Sequence, residues 1–287
     1  MSTKHSNIGS MGNVEAHVRK AGHKAAFNPL VESLTRLGYG VRGFLYLTMG
    51  MLALSFAFGK GGAPVDPQGA IAAIGRQPAG LYLLWVVLIG LLSYSLWGVI
   101  RAVFDPLRKG NDLKGAVARI GFLFSAAGYT FLGVYTYGLI SGSGNSSGAN
   151  TQQSLASVMS APWGRWLVGL IGFAIILDGL YQITLGLNAS FDKQYKTYAM
   201  TAEEVRAATE LGRIGTAARG IVFAMVGGLI LVAAVQSNPS QPVGIAAALT
   251  SLMRQPYGIW AMGLLALGLV AFGLYSMLSA VWFRSRR

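Results

Sequence analysis

The chain has 287 residues, 53% hydrophobic and only 11% charged, with a net charge of +13 and no cysteine. Soluble domains carry roughly 25% charged residues, so too few charges remain to cover a water-exposed surface of this size, and a soluble helix bundle is excluded. The absence of cysteine excludes disulfides, thiolate metal sites and cysteine nucleophiles.

Residues 1–36 are polar and basic and contain no apolar core of a cleavable signal. Within them, Asn13–Ala26 fits either a short interfacial helix or a flexible tail, ended by Asn28-Pro29. Six apolar blocks follow: Gly43–Gly59, Gly80–Ile100, Ile120–Ile140, Leu167–Leu187, Gly220–Val235 and Gly258–Phe283, with Asp178 as the one charge among them. About 20 apolar residues cross a hydrocarbon core of roughly 30 Å as a helix, so six transmembrane helices are predicted. Their expected spans are about 41–59, 80–104, 119–140, 164–188, 216–235 and 257–283. Between helices 4 and 5, Thr201-Ala202-Glu203-Glu204 reads as a helix start, a Thr cap followed by acids in the first turn. Short apolar stretches at Ala70–Ile74, Leu155–Met159 and Ala246–Met253 precede helices 2, 4 and 6. They are too short to span and read as interfacial helices.

Of the 23 lysines and arginines, all but Lys60, Arg76, Arg165 and Arg254 fall in the tail, the 2–3 and 4–5 loops and the C-terminus. The positive-inside rule then puts both termini in the cytoplasm of a bacterial plasma membrane. Attraction to anionic lipids of the cytoplasmic leaflet accounts for the charge, and no nucleic-acid partner is needed.

Nearly the same pattern occurs three times. Arg36-Leu37-Gly38, Arg119-Ile120-Gly121 and Arg213-Ile214-Gly215 each open one apolar run. Pro78-Ala79-Gly80, Pro162-Trp163-Gly164 and Pro256-Tyr257-Gly258 open the next, 42 or 43 positions after the Arg. Ten positions beyond the Arg stand Tyr46, Tyr129 and Phe223; nineteen beyond the Pro stand Trp97, Tyr181 and Tyr275. A fixed internal period dictates architecture. Two crossings return the chain to its starting side, so the repeats are parallel, unlike the inverted repeats of many transporters. The expected fold is all-α: a polytopic membrane protein of three parallel two-helix repeats around a pseudo-threefold axis. The chain divides into a basic tail (1–36), repeat 1 (37–104), a loop (105–118), repeat 2 (119–188), a loop (189–210) and repeat 3 with a basic C-terminus (211–287).

The stretch Gly38-Tyr-Gly-Val-Arg-Gly43, then Gln77-Pro-Ala-Gly80, then Ile89-Gly-Leu-Leu-Ser-Tyr-Ser-Leu-Trp97 resembles the bacterial membrane-repeat family catalogued as domain of unknown function 1206. The resemblance covers about residues 34–283 and implies three tandem two-helix units in a bacterial plasma membrane. It implies no reaction and supplies no catalytic residue. Repeat 2 departs from the pattern, with Ser125-Ala126 where the others have Arg42-Gly43 and Arg219-Gly220.

Asp178 is the candidate intramembrane polar site. It lies ten residues from Asn188, roughly 15 Å along the helix, and a carboxylate at that depth must face protein or water. Tyr181 and Gln182 share its helix face, and Tyr129, Thr130, Tyr135, Thr136 and Tyr137 on helix 3 are possible partners. Two roles fit: a proton or cation site in a central cavity, or a hydrogen-bonded residue that holds helix 4 to its neighbours. Arg36, Arg42, Arg119, Arg213 and Arg219 are expected at the cytoplasmic interface, either orienting helices or meeting lipid headgroups. Gly38-x-Gly40-x-x-Gly43 matches a dinucleotide fingerprint by letter but lacks the strand that the fingerprint needs. His5, His17 and His23 all lie in the tail, Asn145-Ser146-Ser147 is a sequon by pattern alone, and no nucleophile–base pair presents itself. No catalytic residue, metal site or cofactor is therefore expected. The function expected is a non-enzymatic structural, accessory or lipid-binding membrane component, with other membrane subunits as possible partners. The alternative is a small-solute, ion or proton passage using Asp178.

Overall fold

The computed structural model describes residues 29–105, 112–143, 155–188 and 200–282. Residues 1–28 of the tail, with its candidate interfacial helix and histidines, the sequon and Arg284–Arg287 lie outside the described residues. Among the described residues the helices, in chain order, are α1 (Pro29–Ala57), α2 (Pro67–Gly75), α3 (Gly80–Phe104), α4 (Leu113–Ile140), α5 (Gly164–Asn188), α6 (Ala202–Val235), α7 (Ile245–Met253) and α8 (Gly258–Trp282). A further helical stretch covers 155–159. There is no strand among the described residues. The helices α1, α3, α4, α5, α6 and α8 are each long and apolar enough to cross a membrane.

Three helices start before their apolar runs, α4 at Leu113 rather than near 119. α1 begins at Pro29 rather than near 41, and α6 at Ala202 rather than near 216. The reason for α6 is local. The Thr201 hydroxyl accepts from the Glu204 N–H while the Glu204 carboxylate accepts from the Thr201 N–H, a capping box that starts the helix among polar residues. In α1, Pro29 suits a first turn, where its missing N–H costs nothing, and Glu32 pairs with Arg36 one turn on at 3.0 Å. The consequence is functional. Arg42 and Arg219 sit in the body of continuous helices and not at their ends.

The short helices 67–75, 155–159 and 245–253 each run into a Pro-x-Gly turn. The Gly N–H closes that turn onto the carbonyls of Gln77, Ala161 and Gln255 at 2.8, 2.8 and 2.9 Å. A Cβ on Gly80, Gly164 or Gly258 would overlap the carbonyl oxygen of Gly75, Val158 or Leu252, so only glycine lets the spanning helix start so close to the helix before it.

Neighbouring spanning helices pack antiparallel through small residues, as expected where no hydrophobic force drives helices together in lipid. Gly43 meets Gly273 across α1/α8, Gly220 meets Gly179 across α6/α5, and Gly98 meets Ala126 across α3/α4. The second helix of each repeat thus packs against the first helix of another, and α1, α4 and α6 all run in the same direction. Within repeats 1 and 3 the hairpin is also closed: Gly38 abuts the backbone of Tyr94, and Gly215 that of Phe272. Repeat 2 differs. Gly121 stands at the register of Gly38 and Gly215, yet a Cβ there would meet nothing within 4 Å. α4 and α5 lack the interface that joins α1 to α3 and α6 to α8. Only 11% of the spanning part of α4 is buried, against 61% for α3.

Candidate functional site

The polar core is built from a few registered positions. Arg42 and Arg219 occupy the same place in the first helices of repeats 1 and 3; Ser125 occupies it in repeat 2. On the second helices, Tyr94, Asp178 and Phe272 share one register position, and Gly98, Gln182 and Ser276 another one turn further on. Side chains on a helix lean toward its N-terminus, so an Arg on α1 or α6 reaches back to these positions on the antiparallel neighbour.

Two nodes result. At the first, Arg219 donates from Nη1 to Gln182 Oε1 at 2.7 Å and from Nε to the Tyr46 hydroxyl at 2.8 Å. Gln182 then donates to Asp178 Oδ2 at 2.5 Å. One residue from repeat 1, two from repeat 2 and one from repeat 3 form this chain. Asp178 itself is exposed on α5, beside the open hairpin, whereas Gln182 is buried. A carboxylate facing hydrocarbon costs on the order of 2.5–3.5 kcal/mol on insertion scales, which Arg219 offsets through Gln182.

At the second node, Arg42 donates to the Tyr94 hydroxyl at 2.5 Å and to Ser276 Oγ at 3.1 Å. Its guanidinium carbon lies 4.8 Å from the Tyr39 ring centroid and 5.0 Å from those of Tyr94 and Phe272. Arg101, in the last turn of α3, leans into the same cluster, 5.6 Å from the Tyr94 ring, 5.7 Å from Trp97 and 4.5 Å from Phe122 on α4. From sequence Arg101 reads as a loop charge. Its spacing of four and seven residues from Trp97 and Tyr94 is the signal that places it on their face.

The remaining candidates disperse. Tyr181 is 59% exposed on α5. Tyr129 packs its ring 4.5 Å from that of Tyr94, and Thr130 bonds to Ser95. Among the described residues the hydrogen-bond partner of Asp178 is Gln182, not a helix-3 side chain. Arg36 pairs with Glu32. Arg213 approaches Glu210 and the Leu187 carbonyl, each at 3.5 Å. Arg119 donates to the carbonyls of Ala102 and Val103 at 2.5 and 3.1 Å, capping the C-terminus of α3. Arg119 also edges an open hollow of about 350 Å³ lined by Ala102, Ala116, Ile120 and Leu123. No group of three or more His, Asp or Glu gathers among the described residues.

The three-fold recurrence of the Pro-x-Gly turns has a counterpart in a known family. The model of a family described as Domain of Unknown Function (DUF1206) matches residues 37–105, 120–189 and 214–282, one copy per repeat. The chain belongs to the DUF1206 family. The chain is thus a multi-pass membrane protein with two spanning helices in each matched copy. It is similar to the uncharacterized protein YxxB of Bacillus subtilis (strain 168), 34% identical over 259 residues that cover 90% of this chain and 94% of that protein. It is also similar to a protein named transmembrane transporter from Fusarium pseudograminearum (strain CS3096), 33% identical over 135 residues, 42% of this chain and 28% of that protein. No solved structure matches.

Proposed function

We propose that this DUF1206 protein is a non-enzymatic component of the bacterial plasma membrane whose open second repeat seats a phospholipid. The observation that carries this is the splayed hairpin of α4 and α5. Where repeats 1 and 3 close helix on helix, repeat 2 leaves Gly121 and Gly128 uncovered and Phe124 70% exposed. Within a bilayer the neighbour of such an apolar flank is an acyl chain. Both termini are cytoplasmic in this reading, supported by the Lys and Arg distribution, where anionic headgroups are the partners. A pseudo-threefold relation among the repeats is supported by the matched pairs Gly43–Gly273 and Gly220–Gly179 and by the bond of Ser95 to the Ala126 carbonyl at 2.9 Å. The test is native mass spectrometry of protein extracted in mild detergent. Wild type retains phospholipid, and a Gly121→Leu, Gly128→Leu double variant loses it. Retention of a stoichiometric membrane protein instead would assign the flank to a subunit partner.

A second reading, a proton or cation passage, is favoured by the chain from exposed Asp178 through Gln182 and Arg219 to Tyr46 and by the similarity to a protein named as a transporter. Proteoliposomes carrying a pH-sensitive dye test it. Flux must arise with wild type and vanish with Asp178→Asn; equal flux with both ends this reading.

A further inference from the structure

We propose that Arg42 and Arg101 bind a phosphate oxyanion against Tyr94. This site goes beyond the lipid seat and does not depend on the open flank of repeat 2.

Arg42 is 8% exposed and Arg101 9%. Neither has a carboxylate within 4.0 Å among the described residues, where the ion pairs are Arg36–Glu32 and Arg213–Glu210. Asp178 accepts from Gln182, and that chain ends on Arg219. Among the described residues no carboxylate pairs with either of these two cations, buried beside one phenol ring. The surrounding rings offset part of the cost of withdrawing both ions from water, and an oxyanion would supply the opposite charge that rings lack.

Geometry gives the class of the missing group. Arg42 uses one nitrogen on Tyr94 and one on Ser276, and its Nε is buried without a hydrogen-bond partner. The Arg101 Nε is likewise buried without one. Both guanidiniums flank the same Tyr94 ring, at 5.0 and 5.6 Å from its centroid. Planar forks with spare in-plane donors match the oxygens of a phosphate, which takes several N–H bonds at once. Arg101 is three residues from the end of α3, so a ligand reaches it within about one helical turn of the aqueous face. Two sources carry this chemistry there: a lipid phosphate and free inorganic phosphate.

The experiment uses full-length protein and thermal unfolding. In one arm, protein in neutral detergent receives sodium phosphate or, at equal ionic strength, sodium chloride. In the other, nanodiscs of phosphatidylcholine alone are compared with nanodiscs containing phosphatidic acid. Ligand at a hundredfold excess over its Kd raises the midpoint on the order of 5 °C. A rise with phosphate in detergent assigns a free-anion site; a rise only with phosphatidic acid assigns a headgroup site. In either case Arg101→Gln abolishes the rise. Arg101→Lys keeps the charge, loses the fork and weakens binding at least tenfold. Absence of a rise for wild type in both arms overturns the proposal whatever the variants do, and so does an undiminished rise in both Arg101 variants.

Discussion

Arg219 of the third repeat donates to Gln182 of the second at 2.7 Å. Arg42 of the first repeat donates to Ser276, at the register of Gln182, in the third. Each arginine crosses to a different repeat, so the hairpins are joined by charged hydrogen bonds as well as by small-residue packing. Where the second repeat has Ser125 in place of the arginine, the first has Gly98 in place of the acceptor. The exchange is reciprocal, and backbone packing of Gly98 on Ala126 takes over.

Gln182→Leu is expected to leave an Arg219 donor unsatisfied and to strip Asp178 of its partner. Unmaking half-buried, charge-assisted hydrogen bonds of this kind costs about 1–3 kcal/mol. A drop of several degrees in the unfolding midpoint in mild detergent checks it. Asp178→Asn keeps an acceptor for the Gln182 amide and is expected to fold with far less loss.

The glycines at one register position should respond differently. Gly215→Ala forces a Cβ into the Phe272 backbone, a form of overpacking that costs about 1–3 kcal/mol. Gly121→Ala meets open space and is expected to change stability by no more than about 0.5 kcal/mol. Melting curves of the two variants side by side decide this. Equal losses would mean that the second hairpin closes in the membrane as the others do.

Much of this architecture is legible in the sequence, because block length, the Arg-x-Gly and Pro-x-Gly marks and the capping signal at Thr201 are all local. The pairing of Asp178 with Gln182 is legible too, as an i, i+4 relation on one helix. The burial of Arg42 and the half-burial of Arg219 are not. A positive charge at the edge of an apolar run looks like an interface anchor, and two of the three rings around Arg42, Tyr94 and Phe272, come from 52 residues or more away. The open hairpin leaves only a faint trace: an acid where the other repeats have an aromatic ring, and a serine where they have an arginine.

Asp66 gives a pH-dependent prediction at the end of the bundle that carries the short helices. Its carboxylate caps α7 of the third repeat, accepting from the Ala246 N–H at 3.0 Å. Burial raises its pKa above the ordinary value of 3.8, outweighing the hydrogen bonds from Ala246 and Ile245 that favour the charged form. A carboxyl that holds its proton more tightly when folded contributes most at pH values below the ordinary one. It loses that contribution as pH rises through the raised value. Thermal stability is therefore expected to fall with rising pH across the acidic range above 3.8. Asp66→Asn keeps an acceptor for Ala246 but carries no titrating proton, and it should flatten that limb. An unchanged slope in the variant would contradict the assignment.

The splayed second repeat is the feature on which the functional reading rests, and a chain without cysteine is the right background for testing it. Cysteine pairs replace Val41 with Gly90, Ala218 with Gly268, and Phe124 with Ala174, the three equivalent sites in hairpins 1, 3 and 2. Val41 and Ala218 lie against Gly90 and Gly268, closer than the roughly 3.8 Å that a disulfide sets between its Cβ atoms, so the helices must part slightly and oxidation in native membranes should then link the first two pairs. The Phe124/Ala174 pair should stay unlinked under the same conditions. Linkage of that pair at the rate of the other two would show a closed hairpin and remove the lipid seat.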